Sequence, residues 1–198
     1  MNLANKLTIL RLILVPIMVI IPFLPIEGEI AGISISIWII TAIFVIASAT
    51  DKLDGYIARS RNQVTTFGKF LDPIADKILV IVAMIMLVEM QKLPAWIPAI
   101  TIFREFLVSG YRLIAVEKGG KVIAASIWGK LKTVTQVIAV FFAFLDINAY
   151  GAIFSGNLAG VDFIVNCITT ITMSICVIAT IVSGWDYLKN SKELLQDK

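Results

Sequence analysis

Four aspartates stand in two close pairs, Asp51 with Asp54 and Asp72 with Asp76. Residues three or four apart share one face of a helix, so each pair projects from one side of its own segment. A short helical hairpin would bring the two pairs opposite each other. Four carboxylates at that range cannot all stay ionised unless they share protons or hold cations. Two divalent ions would balance the four charges, and oxygen-only donors suit hard ions such as Mg²⁺ or Mn²⁺. A pair of such ions roughly 3.5–4 Å apart is a recurrent device of phosphoryl transfer. The surroundings fit a phosphate. Gly55 and Arg59 follow Asp51 at successive turns, and Gly68 precedes Asp72 and Asp76 at intervals of four. Each glycine removes a side chain beside the acids, and Arg59 offers a planar fork to phosphate oxygens. The alternative, idle acids in a solvated loop, explains none of this neighbourhood. The chain has no histidine, which excludes His-based acid–base chemistry and His-ligated metal.

The elements that must position these residues are membrane helices. The 198 residues are 59% hydrophobic and 16% charged, with mean hydropathy +0.92. Soluble domains are nearer 45–50% apolar and about 25% charged. Long continuous apolar runs replace the alternation of a transmembrane barrel. A spanning helix needs about 20 apolar residues. Six spans are expected near 8–25, 34–58, 69–91, 95–116, 128–147 and 159–187. The expected fold class is therefore all-α, a polytopic membrane protein with six transmembrane helices forming a single domain over residues 1–198. The two cysteines, Cys167 and Cys176, lie nine apart in one apolar run and read as packing residues. The apolar start lacks a small-residue cleavage site at a suitable distance and reads as the first span rather than a signal peptide.

The basic residues orient the chain. Of the 17, sixteen fall on one side of the six spans and only Lys92 on the other, where Glu27, Glu29, Glu89, Asp146 and Asp162 lie. The positive-inside rule then predicts cytoplasmic termini and cytoplasmic loops near 60–68 and 117–127, with the aspartates at the same face. The expected location is the cytoplasmic membrane, among membrane lipids, with no nucleic-acid partner.

The stretch 51–76 matches D-x2-D-G-x2-A-R-x8-G-x3-D-x3-D at Asp51, Asp54, Gly55, Ala58, Arg59, Gly68, Asp72 and Asp76. This resembles the signature of the CDP-alcohol phosphotransferases, membrane enzymes of phospholipid synthesis with a six-helix core. The resemblance implies that an alcohol attacks the β-phosphoryl group of a CDP-linked donor and that CMP leaves. It implies that Asp51, Asp54, Asp72 and Asp76 hold two divalent ions, Mg²⁺ or Mn²⁺, and that Asp76 also acts as general base. Gly55, Ala58, Arg59 and Gly68 would lie along the nucleotide and diphosphate. It further implies a homodimer.

The rest of the chain bears on the acceptor. Asn5, Thr8 and Arg11 form one helical stripe in NKLTILR. They read either as an interfacial lead-in to the first span or, for Asn5 and Thr8, as nucleotide contacts. Span four carries Arg104, Glu105 and Arg112; span five opens with Lys130, Lys132 and Thr133. Arg104 and Arg112 lie about two turns apart on one face. Arg104 could pair with Glu105, and the lysines could reflect positive-inside bias alone. Together Arg104, Arg112, Lys130 and Lys132 make a cationic pocket suited to an acceptor that carries phosphate. The segments REF, SGYR and GKLKT resemble the branch of the family that uses CDP-diacylglycerol as donor and glycerol 3-phosphate as acceptor. Two other members use the same donor, a phosphatidylinositol-phosphate synthase and a cardiolipin synthase of this fold. A cation transporter is the alternative from another class. Acids near one face rather than at midplane count against it.

Overall fold

The computed structural model describes the backbone of residues 3–60, 66–117 and 127–190. Side chains are described for residues 5–50, 71, 74–112, 114 and 127–189. Among the described residues there are six α-helices, α1 (Leu3–Ile20), α2 (Ile35–Ser60), α3 (Thr66–Glu89), α4 (Trp96–Glu117), α5 (Ile127–Leu145) and α6 (Gly160–Asn190). Each overlaps one of the six stretches expected to be helical. By length and composition, three stretches of the described residues are apolar enough to cross a membrane: Asn5–Phe23, Ile127–Leu145 and Gly160–Lys189.

Local chemistry sets the ends. A 3-10 turn at Ile21–Phe23 closes α1, and Leu24 is extended at φ −84° and ψ 143°, the conformation forced on a residue that precedes proline, here Pro25. The connection to α2 contains a two-residue hairpin, β1 (Glu29–Ile30) antiparallel to β2 (Ile33–Ser34). Its turn needs positive φ at both central positions, met by Ala31 at 55° and Gly32 at 75°. The sequence reading expected only a loop there, because Ala-Gly is a weak hairpin signal. α1 begins about one turn earlier than the apolar run suggested. Its polar residues Asn5, Thr8 and Arg11 are 7%, 1% and 0% exposed, so the stripe faces protein and is not an interfacial lead-in.

α1 packs on α2 and α3, α4 on α6, and α5 on α6, with α5 also meeting α2 and α3. The core runs through Met18, Ile40, Phe44, Met84, Leu87, Val140, Phe144 and Met173. Phe44 and Phe144 meet edge to face at 6.0 Å, tying α2 to α5. Ala47, Ala75, Ala83, Ala139, Ala143 and Ala179 are buried between helices. Small residues let membrane helices approach closely where lipid tails supply no hydrophobic drive to associate.

The end of the bundle away from the aspartates is closed by a polar latch. α3 stops in a Schellman motif: Gln91 is left-handed at φ 59°, and the Gln91 and Lys92 amides donate to Val88 and Leu87. Lys92 then donates its ammonium to the Phe144 carbonyl near the end of α5, at 2.7 Å. Asp146 accepts from the Asn148 amide at 2.9 Å and from Asn166 Nδ2 at 2.8 Å. Asn166 also donates to Ala149 O and accepts from the Ile153 amide, so one buried side chain fixes the α5–α6 connection. Burial pushes the Lys92 pKa down to about 8, with Asp146 opposing the shift.

Candidate functional site

The signature residues lie at one end of the bundle. α2 carries positions 51, 54, 55, 58 and 59 in its last three turns, and α3 carries 68, 72 and 76 in its first three. These two helices pack together, so the backbone brings both aspartate pairs to the same end. The side chains of Asp51, Asp54, Gly55, Ala58, Arg59, Gly68 and Asp72 lie outside the described residues, as do positions 118–126 of the loop after α4.

Asp76 is described. Its side chain is 41% exposed, and its Oδ1 accepts from Arg11 Nη1 at 2.5 Å. Arg11, fully buried on α1, donates its Nε to the Ala47 carbonyl on α2 at 3.2 Å. That carbonyl also accepts from Thr50 Oγ1, 2.7 Å away. One guanidinium therefore joins three helices, one turn before Asp51 and directly on Asp76. A buried arginine is held by such a fork because its planar donors can meet a carbonyl and a carboxylate at once. Sequence reasoning placed Arg11 on the Asn5–Thr8 stripe and counted its charge but gave it no role. The i, i+3, i+6 polar spacing inside an apolar run was the available signal.

A second polar cluster adjoins Asp76 through its neighbour Lys77. Lys77 reaches α4 and donates to Ser109 Oγ. The Ser109 hydroxyl donates to the Glu105 carbonyl at 2.6 Å. The Glu105 carboxylate accepts from two cations at one oxygen: Lys132 Nζ at 2.6 Å and Arg104 Nη1 at 3.0 Å. Arg104 also donates its Nη2 to Ser183 on α6, 2.5 Å away. Arg112 donates Nε and Nη2 to the Tyr187 hydroxyl at 3.2 and 2.9 Å. Ser183 and Tyr187 are one turn apart on α6, so the shared face of Arg104 and Arg112 is turned toward that helix. Lys77 is within electrostatic reach of Glu105, Arg112, Arg104 and Lys132.

Of the four residues expected in a cationic pocket, Arg104, Arg112 and Lys132 come together. Lys130 lies on the exposed side of α5. The pairing of Arg104 with Glu105, open in the sequence, is present. Lys77, Ser109, Ser183 and Tyr187 were not singled out. Lys77 could have been found from its place beside the last aspartate, whereas Tyr187 lies 75 residues from its partner and left no local trace.

Positions 51, 54, 72 and 76, the four aspartates of the signature, are carried by two packed helices, and carboxylate oxygens are a donor type that suits hard divalent ions rather than soft ones. Beside them Lys132, Arg104 and Lys77 gather at Glu105, with Arg112 within electrostatic reach of Lys77, so cations outnumber the carboxylate among them.

The sequence model of a family described as CDP-alcohol phosphatidyltransferase matches residues 1–183. A CDP-diacylglycerol–glycerol-3-phosphate 3-phosphatidyltransferase of Bacillus subtilis is 40% identical over 200 residues, covering 98% of this chain and 97% of that protein. A protein of the same name from Haemophilus influenzae is 47% identical over 143 residues, 70% of this chain and 73% of its own length. The Escherichia coli protein of that name is 39% identical over 144 residues, 70% of this chain and 74% of its own.

Proposed function

The chain belongs to the CDP-alcohol phosphatidyltransferase family, and on that premise we propose that it transfers the phosphatidyl group of CDP-diacylglycerol to glycerol 3-phosphate. The products are phosphatidylglycerophosphate and CMP, in phospholipid biosynthesis. The observation that supports this reading is that the signature helices meet, at one end of the bundle, a cluster of cations, Lys77, Arg104, Arg112 and Lys132, that includes a single carboxylate, Glu105. An acceptor already bearing phosphate needs such a pocket; choline or ethanolamine, being cations, would be repelled by it.

In this reading Asp51, Asp54, Asp72 and Asp76 hold two divalent ions, Mg²⁺ or Mn²⁺. Bound there, the ions supply charge neutralisation for the diphosphate and the departing CMP. Asp76 takes the proton of the acceptor hydroxyl as its oxygen forms a bond to the β-phosphorus and the bond to CMP breaks. An in-line attack of this kind needs no covalent intermediate. Arg11 orients Asp76 through one carboxylate oxygen. Gly55, Ala58, Arg59 and Gly68 lie along the diphosphate and nucleotide, and Asn5 and Thr8 toward the same ligand. Arg104, Arg112, Lys130 and Lys132 attract the acceptor phosphate.

The proposal places all six helices across a cytoplasmic membrane as a homodimer among membrane lipids, with both termini and the site on the cytoplasmic face. The charge bias supports that orientation: sixteen of 17 basic residues fall on one side.

The test is an acceptor screen with purified protein, CDP-diacylglycerol and Mg²⁺. Glycerol 3-phosphate, inositol 1-phosphate, serine and phosphatidylglycerol are each supplied, and lipid product and CMP are measured. Product with glycerol 3-phosphate alone is expected. Preference for inositol 1-phosphate or phosphatidylglycerol would move the protein to another branch of the family.

A further inference from the structure

The connection from α5 to α6 joins two helices that are both long and apolar enough to cross a membrane. Residues 147–161, between Asp146 and Asp162, carry no charge. Asp146 itself is buried, committed to the Asn148 amide and to Asn166. The hairpin connection, which the alternation of helices puts at the same end, differs: Glu27 and Glu29 are both exposed there. Apolar side chains stand out from the α5–α6 connection instead. Ile147, Phe154 and Val161 are exposed, Phe154 by 83%, and Phe163 and Ile164 follow at the start of α6.

This connection does not rise above the end of α6 but runs back beside it. The Gly151 amide donates to Thr170 Oγ1 at 3.1 Å and the Ile153 amide to Asn166 Oδ1 at 2.9 Å. Those partners lie ten and six residues after Gly160, where α6 begins, so they are about 15 and 9 Å along the helix. The turn is therefore set deeper than Val161, Phe163 and Ile164, which are apolar and exposed. Irregular backbone at membrane depth is tolerated only where protein meets its polar groups, since lipid offers no partner. Every amide from 150 to 154 is met: Tyr150 by Lys92 O, Gly151 by Thr170, Ala152 by Ala149 O, Ile153 by Asn166 and Phe154 by Gly151 O. Left-handed Gly151 and Gly156 bracket the 3-10 turn Ala152–Ser155, so Phe154 projects from a fixed frame. Trp96, half-exposed at the start of α4, meets Tyr150 edge to face at 6.3 Å. Trp and Tyr favour the headgroup level, where one side of the ring is apolar and the other wet.

We propose that the α5–α6 connection is embedded in the leaflet opposite the aspartates, at the boundary of headgroups and acyl chains, with Phe154 as its lipid anchor. The partner is a phospholipid surface held by apolar contact rather than by charge, because the segment has no charge to offer. Trp96 and Tyr150 set its level, and Asn166 and Thr170 satisfy backbone groups that lipid cannot. Failure of the acceptor screen would leave this surface unaffected, since neither substrate is part of it.

Spin-label accessibility tests the proposal. Phe154→Cys and Glu29→Cys are each made together with Cys167→Ala, Cys176 being fully buried, and reconstituted in phosphatidylcholine vesicles. At position 154 the nitroxide should collide with oxygen more than with a water-soluble nickel chelate, at a depth of roughly 5–10 Å. At position 29 the nickel chelate should dominate. Nickel access at 154 equal to that at 29 would put the segment in water. Exclusion of both reagents would put it under protein, as against a second copy of the chain. Either result overturns the proposal.

The unaltered protein gives an independent check that needs no variant to fold. A phosphatidylcholine with a diazirine near the glycerol end of its acyl chain is photolysed in the same vesicles, and adducts are mapped by mass spectrometry. Adducts within 147–158 are expected beside those on α6. A labelled α6 with an unlabelled 147–158 would overturn the proposal.

Discussion

Removing Arg11 should damage both the fold and the chemistry. Its guanidinium is fully buried, and its bonds across helices include those to Ala47 O at 3.2 Å and to Asp76 Oδ1 at 2.5 Å. Breaking a buried ion pair by deleting one partner typically destabilises by 3–5 kcal/mol, but Asp76 is 41% exposed and partly screened. The lower end, about 3 kcal/mol, is the appropriate figure for Arg11→Met. For a chain of this size that corresponds to a fall in Tm of roughly 6–12 °C. Arg11→Lys keeps the charge but cannot fork between a carbonyl and a carboxylate, so it should fall between the two. Turnover should drop as well, by about 10- to 100-fold, because a carboxylate that loses its orienting partner no longer presents a fixed lone pair. The assay is thermal unfolding in detergent alongside transfer of labelled glycerol 3-phosphate to CDP-diacylglycerol. Arg11→Met protein with wild-type Tm and wild-type turnover would refute the reasoning.

Three further outcomes are expected. Lys92 has its pKa lowered by burial to about 8 from 10.5. The folded state then binds fewer protons than the unfolded state between those values, so stability rises with pH across that window. The unfolding free energy of wild type relative to Lys92→Met should therefore grow from pH 8 to about 10.5, by up to about 3 kcal/mol; a constant difference would remove the buried-lysine explanation. Asp76→Asn should abolish transfer while the protein still folds, because an amide cannot take the acceptor proton, and retained turnover would remove the base assignment. EDTA should stop the reaction and Mg²⁺ or Mn²⁺ restore it; full activity after exhaustive chelation would exclude a metal-dependent step.

Much of the architecture was legible because each helix is long and apolar, and because turn residues interrupt the runs. Five of the six helices begin within three residues of the expected start. α1 is the exception, since the reading followed apolarity and α1 hides polar groups: Asn5, Thr8 and Arg11 are buried against protein. The hairpin at residues 29–34 was missed for a related reason, its turn being formed by Ala31 and Gly32 rather than a stronger pair. At the candidate site, the spacing of the aspartates and the eightfold step from Arg104 to Arg112 placed residues on faces, because helical periodicity is local. The partners of those residues were not local. Glu105 reaches Lys132 on α5, and Arg112 reaches Tyr187 on α6. Which cations meet a carboxylate and which meet a hydroxyl follows from how the helices cross, and sequence spacing carries no record of that. Lys92 makes the same point at the other end. As the only basic residue on its side it looked like an exception to a charge rule, and it proves to be a buried cap on the Phe144 carbonyl.

A carboxylate cage for two hard ions beside a cationic pocket is the centre of the proposed chemistry. Anomalous diffraction from crystals grown with Mn²⁺ and CDP-diacylglycerol tests this most directly. Two manganese peaks enclosed by Asp51, Asp54, Asp72 and Asp76, against the diphosphate, are the predicted result. Manganese bound elsewhere, or those four side chains turned away from one another around the bound lipid, would contradict it.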